Sequence, residues 1–383
     1  ALDRQDEFAL RLPMVISLIL FTLVIFYYFR KEMGVKFAAI ASLLILTSGR
    51  IFIYQSLHGL IDITYSMVIF IFFMHIYRSY MQGRLLKLFM VGYLLIAFSY
   101  LLKGLPSIVF LGITMLVLFL SNKKFKLLFH WGHYVGILIF IAIVGGYYFL
   151  YFSRNDIAPE DMFSVIIGES TRRTAIRFGF WRTALHLLSY PFSILYHFLP
   201  WGIMAILLFR KGAIRLIRTQ SFIRYLSLVF LANIVVYWIS PEVFPRYILM
   251  LIPLMLGVFV FLYLKQKEEN TLQVRIVEWV YGGVIGLTVV AAVLPFFIEL
   301  PLEQSFLIML GSALVLILGS IQVFYWKDKS NRLLWMVIAL LIIRIGFNLV
   351  VLPVRVAESN EAASRDHLRE IIKKTDGQDL MFY

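Results

Sequence analysis

In the stretch SPEVFPRYILMLIPLM, residues 240–255, two charged residues lie just before the start of a long apolar run. Glu242 follows the first of two prolines, Arg246 follows the second, and Tyr247 comes next. Arginine binds phosphate or carboxylate groups as a two-pronged donor, and a neighbouring carboxylate can hold its guanidinium in place. The pattern therefore predicts an anion-binding site with Arg246 and Tyr247 as donors and Glu242 in support.

Similar residues stand at the edges of other apolar runs. They are Arg50 in LTSGRIF, His58 and Asp62 in QSLHGLIDITY, and Lys103 in YLLKGLPSIV. We expect Arg50 and Lys103 to join Arg246 in binding a phosphate, with His58 supporting them. Asp62 is a candidate catalytic base. His58 and Asp62 share the i, i+4 spacing of one helix face, so they can also orient groups or hold a divalent cation, although this pair alone does not predict a metal site.

The composition indicates whether these charges belong to a water-soluble protein or to a membrane protein. Of 383 residues, 61% are hydrophobic and 15% are charged, and the mean hydropathy is +0.86. A soluble domain has about 25% charged residues. The apolar runs are continuous rather than alternating, and most approach the length that crosses a bilayer, so they predict membrane-spanning helices rather than barrel strands. The absence of cysteine excludes thiolate catalysis and thiolate metal sites.

We predict an all-α, polytopic membrane helix bundle with about 12 transmembrane helices. The spans are predicted at 12–29, 37–54, 60–77, 88–102, 105–120, 134–152, 192–209, 225–240, 247–264, 278–297, 305–325 and 333–352. Residues 1–352 would form one transmembrane domain, which includes a long loop at 153–191. Residues 353–383 would form a short polar tail.

The connectors between the spans differ strongly in charge. The six on one side carry 20 Lys and Arg residues, and the five short connectors on the other side carry 5. Basic residues in short loops stay cytoplasmic. The loop 153–191, the tail 353–383, Lys103 and Arg246 are therefore expected on the outer side. An outer start of the chain also predicts that a further span and an outer loop precede Ala1.

The outer loop contains GESTRRTAIRFGFWRT, residues 168–183. Arg172, Arg173 and Arg177 can contact phosphates or an anionic acceptor. Alternatively, this segment is an interfacial helix that lies on the lipid headgroups. The sequence leaves both interpretations open.

Five segments, in order along residues 7–255, resemble the polytopic GT-C glycosyltransferases, which include the protein O-mannosyltransferases and the aminoarabinose–lipid A transferases. They are EFALRLPMVISLILFTLVIFYYFRK (7–31), GLIDITYSMVIF (59–70), SYLLKGLPSIVF (99–110), FWRTALHLLSYPFSILYHFLPW (180–201) and PRYILMLIPLM (245–255). The resemblance implies a bundle of about a dozen helices with its active site on the outer face. It also implies transfer of a sugar from a polyprenyl-phosphate donor to a lipid, glycan or protein acceptor.

The resemblance also locates the expected general base. These families place their catalytic carboxylate in the first outer loop, which would lie upstream of Ala1, so no catalytic role is assigned to Asp3, Asp6 or Glu7. The implied protein is a membrane enzyme, in the bacterial inner membrane with its site facing the periplasm, and it binds no nucleic acid. The alternatives are a secondary transporter or lipid flippase, and a catalytically inactive relative.

Overall fold

The computed structural model describes residues 7–54, 61–155, 168, 180–240, 243–297, 303–357 and 370. The described residues form helices and turns and contain no strand. The chain divides into two compact units, residues 1–277 and 278–383. The prediction of an all-α membrane bundle is confirmed. Among the described residues, seven helices are long and apolar enough to cross a membrane, and Val35–Leu46 and Pro106–Ser121 are apolar but shorter. The count of 12 spans stays a prediction.

The described part of the first unit includes ten α-helices of several residues each, numbered in chain order. They are α1 (Glu7–Met33), α2 (Val35–Leu46), α3 (Asp62–Met81), α4 (Leu85–Lys103), α5 (Pro106–Ser121), α6 (Trp131–Arg154), α7 (Phe180–His197), α8 (Ala213–Thr219), α9 (Ser221–Trp238) and α10 (Ile252–Glu268). Short helices of other types connect them. Arg50–Tyr54 is a π-helix, and Phe125–Phe129, Trp201–Phe209 and Pro245–Ile248 are 3-10 helices.

Helix α10 lies at the centre of the first unit. Every residue from Ile252 to Tyr263 is buried, because α2, α8, α9 and the helix Trp201–Phe209 all pack against α10. A helix that is apolar on all sides must be enclosed by protein or by lipid, and here protein encloses it. Around this centre, the ring of Phe29 contacts those of Phe70 and Phe222 edge to face, and Phe222 also contacts the tilted ring of Tyr77.

The boundary between the two units falls inside helix α11 (Leu272–Ala291). The second unit contains the rest of this helix, together with α12 (Gln304–Lys327), α13 (Arg332–Gly346) and α14 (Leu352–Ala357). Leu294–Phe296 and Lys329–Asn331 are 3-10 helices, and Phe347–Val351 is a π-helix. Helices α12 and α13 pack together. Their connection is held by Asp328, whose pKa is lowered because its carboxylate accepts hydrogen bonds from Ser330 and Asn331.

Two predicted spans differ from the helices observed. The span predicted at 37–54 is interrupted, because α2 ends at Leu46 and a separate π-helix begins at Arg50. The span predicted at 192–209 is also two elements. Helix α7 extends back to Phe180, and the chain turns at residues 198–200 before the 3-10 helix Trp201–Phe209. Pro200 contributes to the second break because proline has no N–H to continue the helical ladder.

Candidate anion-binding site

Asp62 and Lys103 lie at opposite ends of neighbouring helices. Asp62 is the first residue of α3, and Lys103 is the last residue of α4. Each charge stands at the helix end that its sign favours, because a helix carries partial positive charge at its start and partial negative charge at its end. Gly104 follows with a positive φ of 82°, which ends α4 sharply, and Pro106 then opens α5. The sequence KGLP therefore fixes Lys103 in a tight corner between two helices.

A third element, the 3-10 helix Pro245–Ile248, brings Arg246 and Tyr247 to this corner. Lys103 Nζ donates a hydrogen bond to Asp62 Oδ1, and Arg246 Nε lies 4.0 Å from Asp62 Oδ2. Lys103 Nζ also lies 4.5 Å from the centre of the Tyr247 ring. Asp62 is only 5% exposed, so this buried carboxylate is the point on which both cations converge. Its two oxygens face one cation each.

Arg50 approaches the same group from the π-helix Arg50–Tyr54. Its guanidinium lies 3.7 Å from the centre of the Tyr54 ring, and it is close enough to Arg246 for the two charges to repel each other. The pKa of Arg246 is raised, first by its hydrogen bond with Tyr247 and further by Asp62 and Tyr54. We call Arg50, Asp62, Lys103, Arg246 and Tyr247 the cation cluster.

The cation cluster contains donors that the protein does not use. The Nε atoms of Arg50 and of Arg246 are both buried and have no hydrogen-bond partner. A buried polar atom without a partner is costly, and native proteins leave few of them. Lys103 and Arg246 share the single carboxylate of Asp62, and Arg50 lies near Arg246, so positive charge is in excess. The arrangement is suited to receive an anion with several oxygen atoms.

Glu242 and His58 lie outside the described residues, as do Arg172, Arg173 and Arg177 of the predicted acceptor loop. Their roles stay predictions. Among the residues that the structure describes, no group of three or more His, Cys, Asp or Glu side chains could hold a metal ion.

Two neighbouring features were not predicted from the sequence. The first is Tyr65, which lies three residues after Asp62 on the same helix face. Its ring centre is 5.2 Å from Lys103 Nζ, and its hydroxyl accepts a hydrogen bond of 3.3 Å from Ser107 Oγ. The i, i+3 spacing from Asp62 is the signal that could have identified it.

The second feature is a polar cavity of about 140 Å³ between α7 and the segment 243–248, which we call the histidine cavity. Its polar lining comes from α7: His186, Ser189, Tyr190, Ser193 and His197. These residues recur three or four positions apart, as expected for one helix face. The stripe is visible in HLLSYPFSILYH, but only the structure shows what it faces.

An apolar groove of about 720 Å³ shares Tyr190 and Ile194 with the histidine cavity. Residues of α7, α8, α9, α10 and the helix Trp201–Phe209 line the groove. Its few charged lining groups are Arg218 and Arg224.

Comparison with known proteins identifies the architecture. Residues 1–148 match the family model described as dolichyl-phosphate-mannose-protein mannosyltransferase. The structure of the chain matches the crystal structure of ArnT from Cupriavidus metallidurans bound to undecaprenyl phosphate, with a TM-score of 0.57 and 17% sequence identity over 88% of this chain. This chain has a GT-C fold. The GT-C resemblance of the sequence is therefore confirmed at the level of the fold.

The match to ArnT in the apo state has the same TM-score of 0.57, with 16% identity over 89% of this chain. The chain spans about three fifths of the length of the ArnT chains, since the matches cover 61% and 63% of them. No curated protein sequence matches the chain.

Proposed function

We propose that this protein is a membrane glycosyltransferase that moves a sugar from a polyprenyl-phosphate donor to an acceptor on the outer face of the membrane. The observation that carries the proposal is the cation cluster, in which Lys103 and Arg246 converge on one buried carboxylate, Arg50 lies near Arg246, and two guanidinium Nε atoms lack an acceptor. The GT-C fold supports an enzyme rather than a transporter or flippase. The ArnT crystal structure with undecaprenyl phosphate supports the choice of donor.

In the proposed reaction, the acceptor attacks the anomeric carbon of the donor sugar and the polyprenyl phosphate leaves as an anion. Lys103, Arg246 and Arg50 stabilise the charge that develops on the leaving phosphate, and Tyr247 donates a hydrogen bond to it. Fixed cations aimed at a developing charge are usually the largest contribution to catalysis. The lipid chain of the donor stays in the bilayer, and its charged head enters from the outer leaflet.

The structure changes the role that we propose for Asp62. A carboxylate that already accepts a hydrogen bond from Lys103 and faces Arg246 is poorly available to remove a proton. We therefore propose Asp62 as a positioning residue, which holds Lys103 and Arg246 in place, rather than as the catalytic base. The base that takes the acceptor's proton is not assigned to any residue of the cation cluster. The sequence prediction of the bacterial inner membrane, with a periplasmic site, is part of this proposal.

Binding of undecaprenyl phosphate to the full chain in lipid nanodiscs tests the proposal directly. We expect the wild-type protein to bind this lipid and both Lys103→Met and Arg246→Ala to bind it at least tenfold more weakly. Lys265→Ala is the matched control, because Lys265 is an exposed lysine of a predicted cytoplasmic connector and pairs with Glu268. Absent binding by the wild type, or equal loss in the control, would contradict the proposal.

A further inference from the structure

The histidine cavity contains hydrogen-bonding groups without partners. Tyr190 is only 6% exposed, and its hydroxyl has no hydrogen-bond partner. His186 Nε2 is also buried without a partner, and the two rings lie 4.9 Å apart. Buried hydroxyl and imidazole groups normally find a partner within the protein. Both residues line the histidine cavity, so a ligand held there is a candidate partner for these groups.

The chemistry of the lining selects the class of ligand. Among the described residues that line the histidine cavity there is no carboxylate, lysine or arginine. Hydroxyl and imidazole groups both donate and accept hydrogen bonds, so they match the hydroxyl groups of a neutral ligand better than they match a phosphate. The volume of 140 Å³ equals about four to five water molecules at ~30 Å³ each, which is the scale of a single sugar ring.

The histidine cavity adjoins the cation cluster at two points. The 3-10 helix Pro245–Ile248 contributes Pro245 and Ile248 to the cavity, while Arg246 and Tyr247 between them belong to the cation cluster. On the other side, the backbone carbonyl of His197 lies beside Gly49, the residue before Arg50, since a β-carbon at position 49 would be 3.8 Å from it. A ligand that joins a phosphate directly to a sugar could therefore occupy both sites at once.

We infer that the histidine cavity binds the sugar ring of the donor, with Tyr190 and His186 hydrogen-bonding its hydroxyl groups. The inference rests on the proposed function, because the donor is what links a phosphate to a sugar. Tyr190 and His186 would then contribute to the choice of sugar, since a site built to pair hydroxyl groups rejects analogues that leave its own groups unpaired.

Two forms of the same lipid separate this inference from the proposed function. Binding to nanodiscs that contain the full chain would be measured for bare undecaprenyl phosphate and for undecaprenyl phosphate that carries mannose, glucose, N-acetylglucosamine or aminoarabinose. We expect at least one sugar-bearing lipid to bind more tightly than the bare lipid. Tyr190→Phe should weaken that binding about three- to tenfold, as for one lost hydrogen bond, and leave the bare lipid unaffected.

The variants are chosen so that folding does not confuse the result. Tyr190→Phe removes only a hydroxyl that bonds to nothing in the protein, so it should not lower thermal stability. Tyr196→Phe on the same helix is the matched control, because Tyr196 is 69% exposed and lies outside the histidine cavity. His186→Leu should repeat the Tyr190→Phe effect, and His186→Gln, which keeps a polar atom near the position of Nε2, should restore part of the affinity.

Each failure has a distinct signature. If the wild type does not bind even bare undecaprenyl phosphate, the proposed function fails. If it binds the bare lipid but no attached sugar improves the affinity, the inference about the cavity is wrong. The inference is equally wrong if the sugar-dependent gain survives in both Tyr190→Phe and His186→Leu.

Discussion

Lys103, the last residue of α4, donates a hydrogen bond to Asp62, the first residue of α3, across 41 positions of sequence. The contact joins two helix ends whose partial charges already favour these side chains. It also holds both side chains in the orientation that faces Arg246. The pair therefore links the end of α4 to the start of α3, and it is also part of the proposed site.

Removing Lys103 should destabilise the protein because it leaves the buried carboxylate of Asp62 without its hydrogen-bond donor. We expect Lys103→Met to lower the free energy of unfolding by about 1.5–3 kcal/mol, the range for a hydrogen bond to a charged group. The double variant Asp62→Asn with Lys103→Met should lose less than the sum of the two single variants. Unfolding in detergent gives these values, with exposed Lys126→Met as the control. Strict additivity would show that the pair contributes nothing.

Arg246→Lys separates a phosphate-binding arginine from a residue that only anchors the chain at the membrane surface. Either cation can reach the headgroups, so an anchor tolerates lysine. Lysine cannot present two parallel donors, so a phosphate site loses a charged hydrogen bond. We expect normal insertion and at least a tenfold loss of affinity for undecaprenyl phosphate.

The matched control for Arg246→Lys is Arg215→Lys, which changes an exposed arginine of α8 in the same way. Both variants should reach the membrane in wild-type amounts. If Arg246→Lys does not change the affinity for undecaprenyl phosphate, Arg246 only anchors the chain at the membrane surface.

Gly136 of α6 is a packing site against α4. A β-carbon at position 136 would come within 2.2 Å of the Tyr93 ring, whereas a β-carbon at position 145 of the same helix would meet nothing within 4 Å. We expect Gly136→Ala to lower the free energy of unfolding by about 1–3 kcal/mol through overpacking. Gly145→Ala should be neutral or slightly stabilising. Equal melting temperatures for the two variants would count against close packing of α4 and α6.

The predicted topology can be tested by single-cysteine labelling, because the chain has no native cysteine. The charge difference between the connectors predicts that residues 153–191 and 353–383 are on the outer side. A membrane-impermeant thiol reagent added from outside should label Glu160→Cys and should not reach Asn122→Cys in intact cells. The reverse pattern would invert the whole topology, including the proposed location of the site.

The sequence was informative about which charges would meet, and less so about the shape around them. Asp62, Lys103 and Arg246 could be grouped because all three stand at ends of apolar runs that the connector charges assign to one side of the membrane. The histidine cavity could not be predicted in this way. It depends on α7 packing beside the segment 243–248, a contact that neither segment encodes alone.

The breaks within two of the predicted spans were also not predicted from the sequence. Apolar content does not distinguish one long helix from two shorter ones, so the runs 37–54 and 192–209 were each predicted as a single span. In the first case the break at residues 47–49 places Arg50 in a π-helix, whose wider turn is often found at functional sites. In both cases, packing with the rest of the unit contributes to the interruption: Gly49 donates its N–H to Leu199 O, and Trp201 Nε1 donates to Thr47 Oγ1.

The burial of α10 has a consequence for how the protein responds to its lipid. Helices that face lipid adjust to a thicker or thinner bilayer by tilting, which moves their ends. Helix α10 has neighbours in place of lipid along Ile252–Tyr263, and it follows directly on the turn that carries Arg246. The height of Arg246 is therefore set by protein packing rather than by hydrophobic mismatch, and its affinity for a phosphate should stay nearly constant when short-chain lipids are replaced by long-chain ones.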